Sequence, residues 1–141
     1  MNSLTSALYH FHHFGLATKN IKTSRNSLLA LGYTISFEIH DPLQSVWVQL
    51  ATKKSSPTIE LVWQDDSSMP PLSNFFKHHP YHFYHSCYTC SDFLLVEHYF
   101  KKGGHRLKPL TEAKPAILFS NKLVKFYYLD GIGIIEFLLN D

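Results

Sequence analysis

The chain has 141 residues, 45% hydrophobic and only 17% charged, a balance that excludes intrinsic disorder and suffices for one compact domain or two small packed modules. Its 13 Lys and Arg against 11 Asp and Glu leave a net charge of +2, too mild for a nucleic-acid or anionic-membrane binder, and no basic run with interleaved aromatics occurs. No apolar run reaches the roughly 18 residues of a membrane span, and MNSLTSALYHF lacks a basic segment followed by an apolar one. A soluble, cytoplasmic protein is expected, with neither nucleic acid nor membrane as partner.

In chain order, HFHHFGLATKNIKTSRNSLLALGYTI (residues 10–35) predicts an alternating strand, a cap-rich turn, an amphipathic helix stopped at Gly32 and the start of another strand. Strand parity puts His13 on the side of Phe11 and Gly15, and His12 on the other. TIELVW (58–63) predicts a further strand carrying Glu60. The segment WQDDSSMPPLSNFFKHHPYH (63–82), with Pro70 and Pro71, reads as a connection or a lid over a site; Phe75, Phe76 and Lys77 are placed against a sheet edge, with covering substrate as the alternative, and His78, His79 and His82 in the loop. Next, YHFYHSCYTCSDFLLVEHYFKKGGHRL (81–107) predicts a strand, a Ser-Asp cap, a helix with Phe93, Val96 and Phe100 at helical spacing, and a glycine stop. The Cys87-x-x-Cys90 motif falls in that strand, where residues three apart face opposite ways, and no second ligand pair accompanies it. Reduced core cysteines are expected. The last strand, GIGIIEFLLND (131–141), sets Glu136 among Ile, Leu and Phe.

These elements repeat. His13 to Gly32 and His85 to Gly104 are both 19 residues apart, and each half ends in an apolar strand with one glutamate, Glu60 or Glu136. A carboxylate in such a strand either faces solvent, pairs with a cation or binds a metal, because an unpaired buried charge costs several kcal/mol or more. Two histidines and two glutamates on covered faces suit a divalent first-row metal, Zn, Ni, Co, Fe or Mn, with water completing the shell.

Together, FHHFGLATKNI, TIELVW, YHSCYTCSDF and GIGIIEFLL resemble the vicinal oxygen chelate superfamily, which includes glyoxalase I, methylmalonyl-CoA epimerase, extradiol dioxygenases and the bleomycin-resistance proteins. The resemblance spans about residues 9 to 139. It implies an α+β fold of paired βαβββ modules forming a cupped mixed sheet, with module one at about 9–64, a linker at about 65–80 and module two at about 81–140. The implied metal ligands are His13, Glu60, His85 and Glu136. The implied activity is proton transfer next to a carbonyl through a metal-stabilised enolate, either as an epimerase or isomerase or as a glyoxalase-like lyase. Glu136 is the first candidate base and Glu60 the second. An acyl-CoA or a glutathione hemithioacetal would be the substrate, and a homodimer is expected by analogy.

Some features depart from the relatives. Val48 stands where an epimerase-like pattern of Pro, Gln and Val leads to a catalytic acid, which leaves Glu38 as the nearby substitute. Epimerases often carry an amide where this chain has Glu60, and the order His, Glu, His, Glu is that of bacterial glyoxalase I. KTSRNSLLALGY in turn lacks that enzyme's usual Phe-Tyr pair. Lys108, Lys114 and Lys122 lie where family members contact a substrate tail, with solvated surface positions as the default. The alternative function is non-catalytic small-molecule binding or drug sequestration on the same fold, for which 8 Tyr, 11 Phe and 2 Trp would supply stacking surfaces.

Overall fold

The alternating N-terminal run forms β1 (Tyr9–Thr18). Asn20 then caps α1 (Ile21–Ala30), its side chain accepting a hydrogen bond from the Thr23 N–H at 3.2 Å. The helix closes where the Tyr33 N–H returns to the Leu28 carbonyl, and Gly32 between them has φ of +95°, a left-handed conformation that costs glycine nothing. Short strands β2 (Thr34–Ile35) and β3 (Ile39–Asp41) follow, then β4 (Val46–Thr52) and β5 (Ile59–Gln64).

The second half repeats the plan. After a 3-10 turn at Ser73–Phe76 come β6 (Tyr81–Cys90) and α2 (Phe93–Lys102), capped by Asp92, whose carboxylate accepts from the Leu94 N–H at 2.8 Å. Gly104, φ +77°, makes the second left-handed stop. The chain continues through β7 (Leu107–Pro109), β8 (Lys114–Ala116), β9 (Lys122–Leu129) and β10 (Gly133–Leu139).

The computed structural model describes residues 9–66 and 72–140; Pro70 and Pro71 of the predicted connection lie outside the described residues. Among the described residues there are ten strands and two α-helices, the α+β class expected from the sequence. They divide into two compact units. The first holds residues 13–84. Its strands run β2-β4-β5-β1, with β1 parallel to β5 and the other neighbours antiparallel; β3 also pairs with β4. The second holds residues 9–12 and 85–140, with strand order β6-β10-β9-β7, β10 parallel to β6, and β8 beside β9. Each is a mixed sheet with one helix, and both run β-α-β-β-β-β, the repeated plan read from the sequence with one short strand more than expected after each helix.

Each unit packs its helix on one sheet face. In the first, Leu16, Leu28, Ala51, Ile59 and Leu61 form the core. In the second, Cys90, Val96, Tyr127, Ile135 and Phe137 do, and Phe93 and Phe100 pack against them from α2. Neither cysteine is in a disulfide and both are buried, as expected. Cys90 belongs to the helix-side core, and burial pushes its thiol up to about 11. In the connection, Phe75 packs its ring against Tyr84 of β6, 5.2 Å between centroids. No helix among the described residues is long and apolar enough to cross a membrane.

Candidate metal centre

In the first unit, register decides which side chains meet. Gly15 of β1 lies beside Glu60 of β5, and His13, two residues earlier, projects from the same face. On the other side of β5, Leu50 of β4 is the partner of Glu60 and Val48 the partner of Val62. This face is the one opposite the helix, since Leu16, Ile59 and Leu61 alternate with these residues and point into the α1 core. His13 is fully buried and Glu60 is 7% exposed. The His13 Nε2 stands 3.4 Å from the Glu60 Oε1.

The second unit arrives at the same arrangement. Cys87 of β6 lies beside Glu136 of β10, and His85, two residues earlier, shares that face. Phe126 of β9 is the other partner of Glu136. His85 and Glu136 are 4% and 3% exposed, with Nε2 to Oε1 at 3.3 Å. In both units, then, the histidine sits two residues ahead of the strand partner of the glutamate. Each pair sets one imidazole nitrogen and one carboxylate oxygen at a spacing just past the 2.7–3.2 Å of a good N–H···O hydrogen bond. Two buried donors held at that spacing also suit a shared cation, and imidazole with carboxylate is a donor chemistry that divalent zinc, nickel, cobalt, iron and manganese accept. The residues therefore fit the group expected from the sequence.

Other expected positions resolve plainly. The His12 ring stands edge-on to Phe119 at 5.2 Å. Val48 is buried on the Glu60 face, so the position read as a missing acid does face that site. Glu38, the nearby substitute, pairs its carboxylate with Arg25 of α1 at 3.2 Å. Lys108 and Lys114 are exposed. Sequence reading missed Phe126, whose ring stands edge-on to His85 at 5.2 Å and 88°, and the placement of Cys87 on the Glu136 face. Strand parity from His85 held the signal for Cys87; the partner of Glu136 required the β9–β10 register, which no short-range pattern supplies.

Comparison with known proteins agrees with this fold. The structure is similar to the methylmalonyl-CoA epimerase of Mycobacterium tuberculosis (TM-score 0.72, 19% identity, covering 93% of this chain and 87% of that one). It is similar also to a hypothetical protein from Bacillus halodurans (TM-score 0.73, 19% identity, 94% and 95% covered). A third similar structure is Streptomyces coelicolor methylmalonyl-CoA epimerase in complex with 2-nitronate-propionyl-CoA (TM-score 0.66, 13% identity, 94% and 98% covered). At these identities the likeness establishes the fold. No curated protein matches the sequence. The sequence matches the Glyoxalase/Bleomycin resistance protein/Dioxygenase superfamily over residues 12–121, a stretch that includes His13, Glu60 and His85 and ends before Glu136, and the chain belongs to that family.

Proposed function

We propose that His13, Glu60, His85 and Glu136 act together as the ligands of one divalent transition metal, and that the protein catalyses proton transfer next to a carbonyl. The observation that carries this reading is the recurrence of one buried His–Glu pair, at one register, in both units. Membership of the glyoxalase superfamily supports it. When bound, the ion would supply Lewis-acid stabilisation of negative charge developing on a substrate oxygen.

The chain's own residues divide the remaining work. Glu136 is the leading base. Ile134 and Leu138 flank it on the same face of β10, and Phe126 lies beside it on β9, so its surroundings beyond His85 and Cys87 are apolar. Glu60 is the second base, with Val48 and Leu50 as its apolar neighbours on β4. Because Val48 brings no carboxylate and Glu38 is taken by Arg25, both proton-transfer roles fall to Glu136 and Glu60. The acyl-CoA class of substrate is supported by the names of the similar structures, and a glutathione hemithioacetal by the order of the four residues. A cytoplasmic homodimer completes the proposal.

The test is solvent-deuterium exchange into acyl-CoA thioesters and hemithioacetals by metal-reconstituted protein, followed by mass spectrometry. Wild type is expected to exchange the proton next to the carbonyl, and Glu136→Gln to slow exchange by roughly 10²- to 10⁴-fold while keeping its far-UV circular dichroism. Absence of exchange on every substrate would replace this reading with non-catalytic small-molecule binding, and an undiminished Gln variant would remove Glu136 from the role of base.

A further inference from the structure

The opposite face of the first unit's sheet carries a second concave site, away from Glu60. His40 of β3 and Trp47 of β4 are strand partners, so their side chains rise together, and Trp47 alternates with Val46 and Val48 on the Glu60 face. The two rings stand 4.9 Å apart at 39°. Just past β5, the Asp65 N–H bonds to the Ser45 carbonyl at 3.2 Å, which brings the Asp65 Oδ2 to 2.8 Å from the His40 Nε2. With Asp66 these residues line a cavity of about 320 Å³, within the size range of small-molecule sites.

The chemistry of the lining is specific. Among the described residues two carboxylates, one indole and one imidazole line it, open to solvent, with no lysine or arginine, on a chain whose overall charge is positive. The nearby cation Arg25 is committed elsewhere, to Glu38 and to the face of Trp63 at 5.6 Å. Asp41 does not join the rim, since its carboxylate accepts from the Leu43 and Gln44 backbone N–H groups and from the Gln44 side chain. His40 already shows what this wall accepts: a planar nitrogen ring laid against Trp47 and hydrogen-bonded to Asp65. A bare metal ion fits less well, because among the described residues His40, Asp65 and Asp66 do not converge as a coordination group.

We infer that this cavity is a binding site for a small organic cation, an ammonium joined to an aromatic or apolar body. The body lies on Trp47 and the ammonium donates to Asp66, with the negative charge of Asp65 beside it. The site is separate from the His–Glu pairs and does not depend on the function proposed for them.

Benzylammonium is the probe, with benzyl alcohol and benzoate as neutral and anionic counterparts, followed by amide and indole NMR shifts at pH 7.5. Benzylammonium is expected to bind saturably with shifts centred on Trp47 and His40, about tenfold more tightly than benzyl alcohol, with no binding of benzoate. Asp66→Asn, at an exposed position, is expected to weaken binding about fivefold or more with unchanged unfolding, Trp47→Leu to remove it, and Glu60→Gln on the opposite face to leave it intact. Absence of binding, equal affinity for benzyl alcohol, an unaffected Asp66→Asn variant, or shifts centred elsewhere would each overturn the assignment.

Discussion

Ile59 and Leu61 of the first unit occupy the register positions that Ile135 and Phe137 hold in the second, and Ala51 stands where Tyr127 does. The first core is aliphatic and the second aromatic, with Tyr9, Tyr88 and Phe100 gathered around Phe137 and one another. The helices are fastened differently too. Tyr127 donates its hydroxyl to Glu97 of α2 at 2.7 Å, and Lys125 reaches the same carboxylate at 3.3 Å. In the first unit a buried Thr18–Ser24 hydroxyl pair at 2.7 Å ties β1 to α1. Against this divergence, the His–Glu pair and its register are the same in both. Apolar packing tolerates many solutions of suitable volume. Placing two donors 3.3–3.4 Å apart on adjacent strands depends on register, and there the two units agree.

Truncating the equivalent core positions breaks the comparison hardest. Phe137→Ala is expected to lose about 3–5 kcal/mol and Leu61→Ala about 2–5 kcal/mol in urea unfolding, because each leaves a cavity in a fully packed sheet–helix interface. A loss near zero at either would mean that unit does not fold around the core described. A smaller effect sharpens the difference in helix attachment. Tyr127→Phe removes one charge-assisted hydrogen bond while Lys125 remains on Glu97, and should cost about 1–2 kcal/mol. An unchanged midpoint would transfer the anchoring of α2 to its apolar face.

The smallest effect is a pH dependence confined to the second unit. Burial raises the Cys90 thiol to about 11 from an ordinary value near 9, and burial with the Glu97 hydrogen bond raises the Tyr127 hydroxyl in the same direction. Both groups are neutral when protonated, so the folded state holds its protons longer than the unfolded chain. The Cys90 contribution is complete below about pH 9 and is lost as the pH rises through about 11, and the Tyr127 contribution is lost in the same direction at higher pH. Unfolding free energies measured across that window should fall, and fall less steeply in Cys90→Ala. An identical slope in the variant would remove Cys90 from the explanation.

Much of this was legible in the residues. The equal spacing from His13 to Gly32 and from His85 to Gly104 marks two left-handed helix stops, and both glycines have positive φ. Glu60 and Glu136 stood out because a lone carboxylate in an apolar strand demands a partner, and parity gave the face of each histidine. What escaped notice depends on pairing between strands distant in sequence. Phe126 meets His85 only through the β9–β10 and β10–β6 registers, and the His40, Trp47 and Asp65 cluster needs β3, β4 and the end of β5 aligned together. Short strands such as β2 and β3 carry too few residues to show a period.

The central claim is that both His–Glu pairs serve one ion, and metal stoichiometry tests it most directly. Protein purified without a metal-affinity step is reconstituted with each candidate ion, desalted, and analysed beside His13→Ala, Glu60→Gln, His85→Ala and Glu136→Gln. The account predicts about one equivalent bound per chain in the wild type and loss in variants of either unit, since removing one ligand of a structured site typically lowers affinity at least 10- to 100-fold. Two equivalents, one lost with each unit's variants, or no metal retained by any of the five proteins, would contradict it.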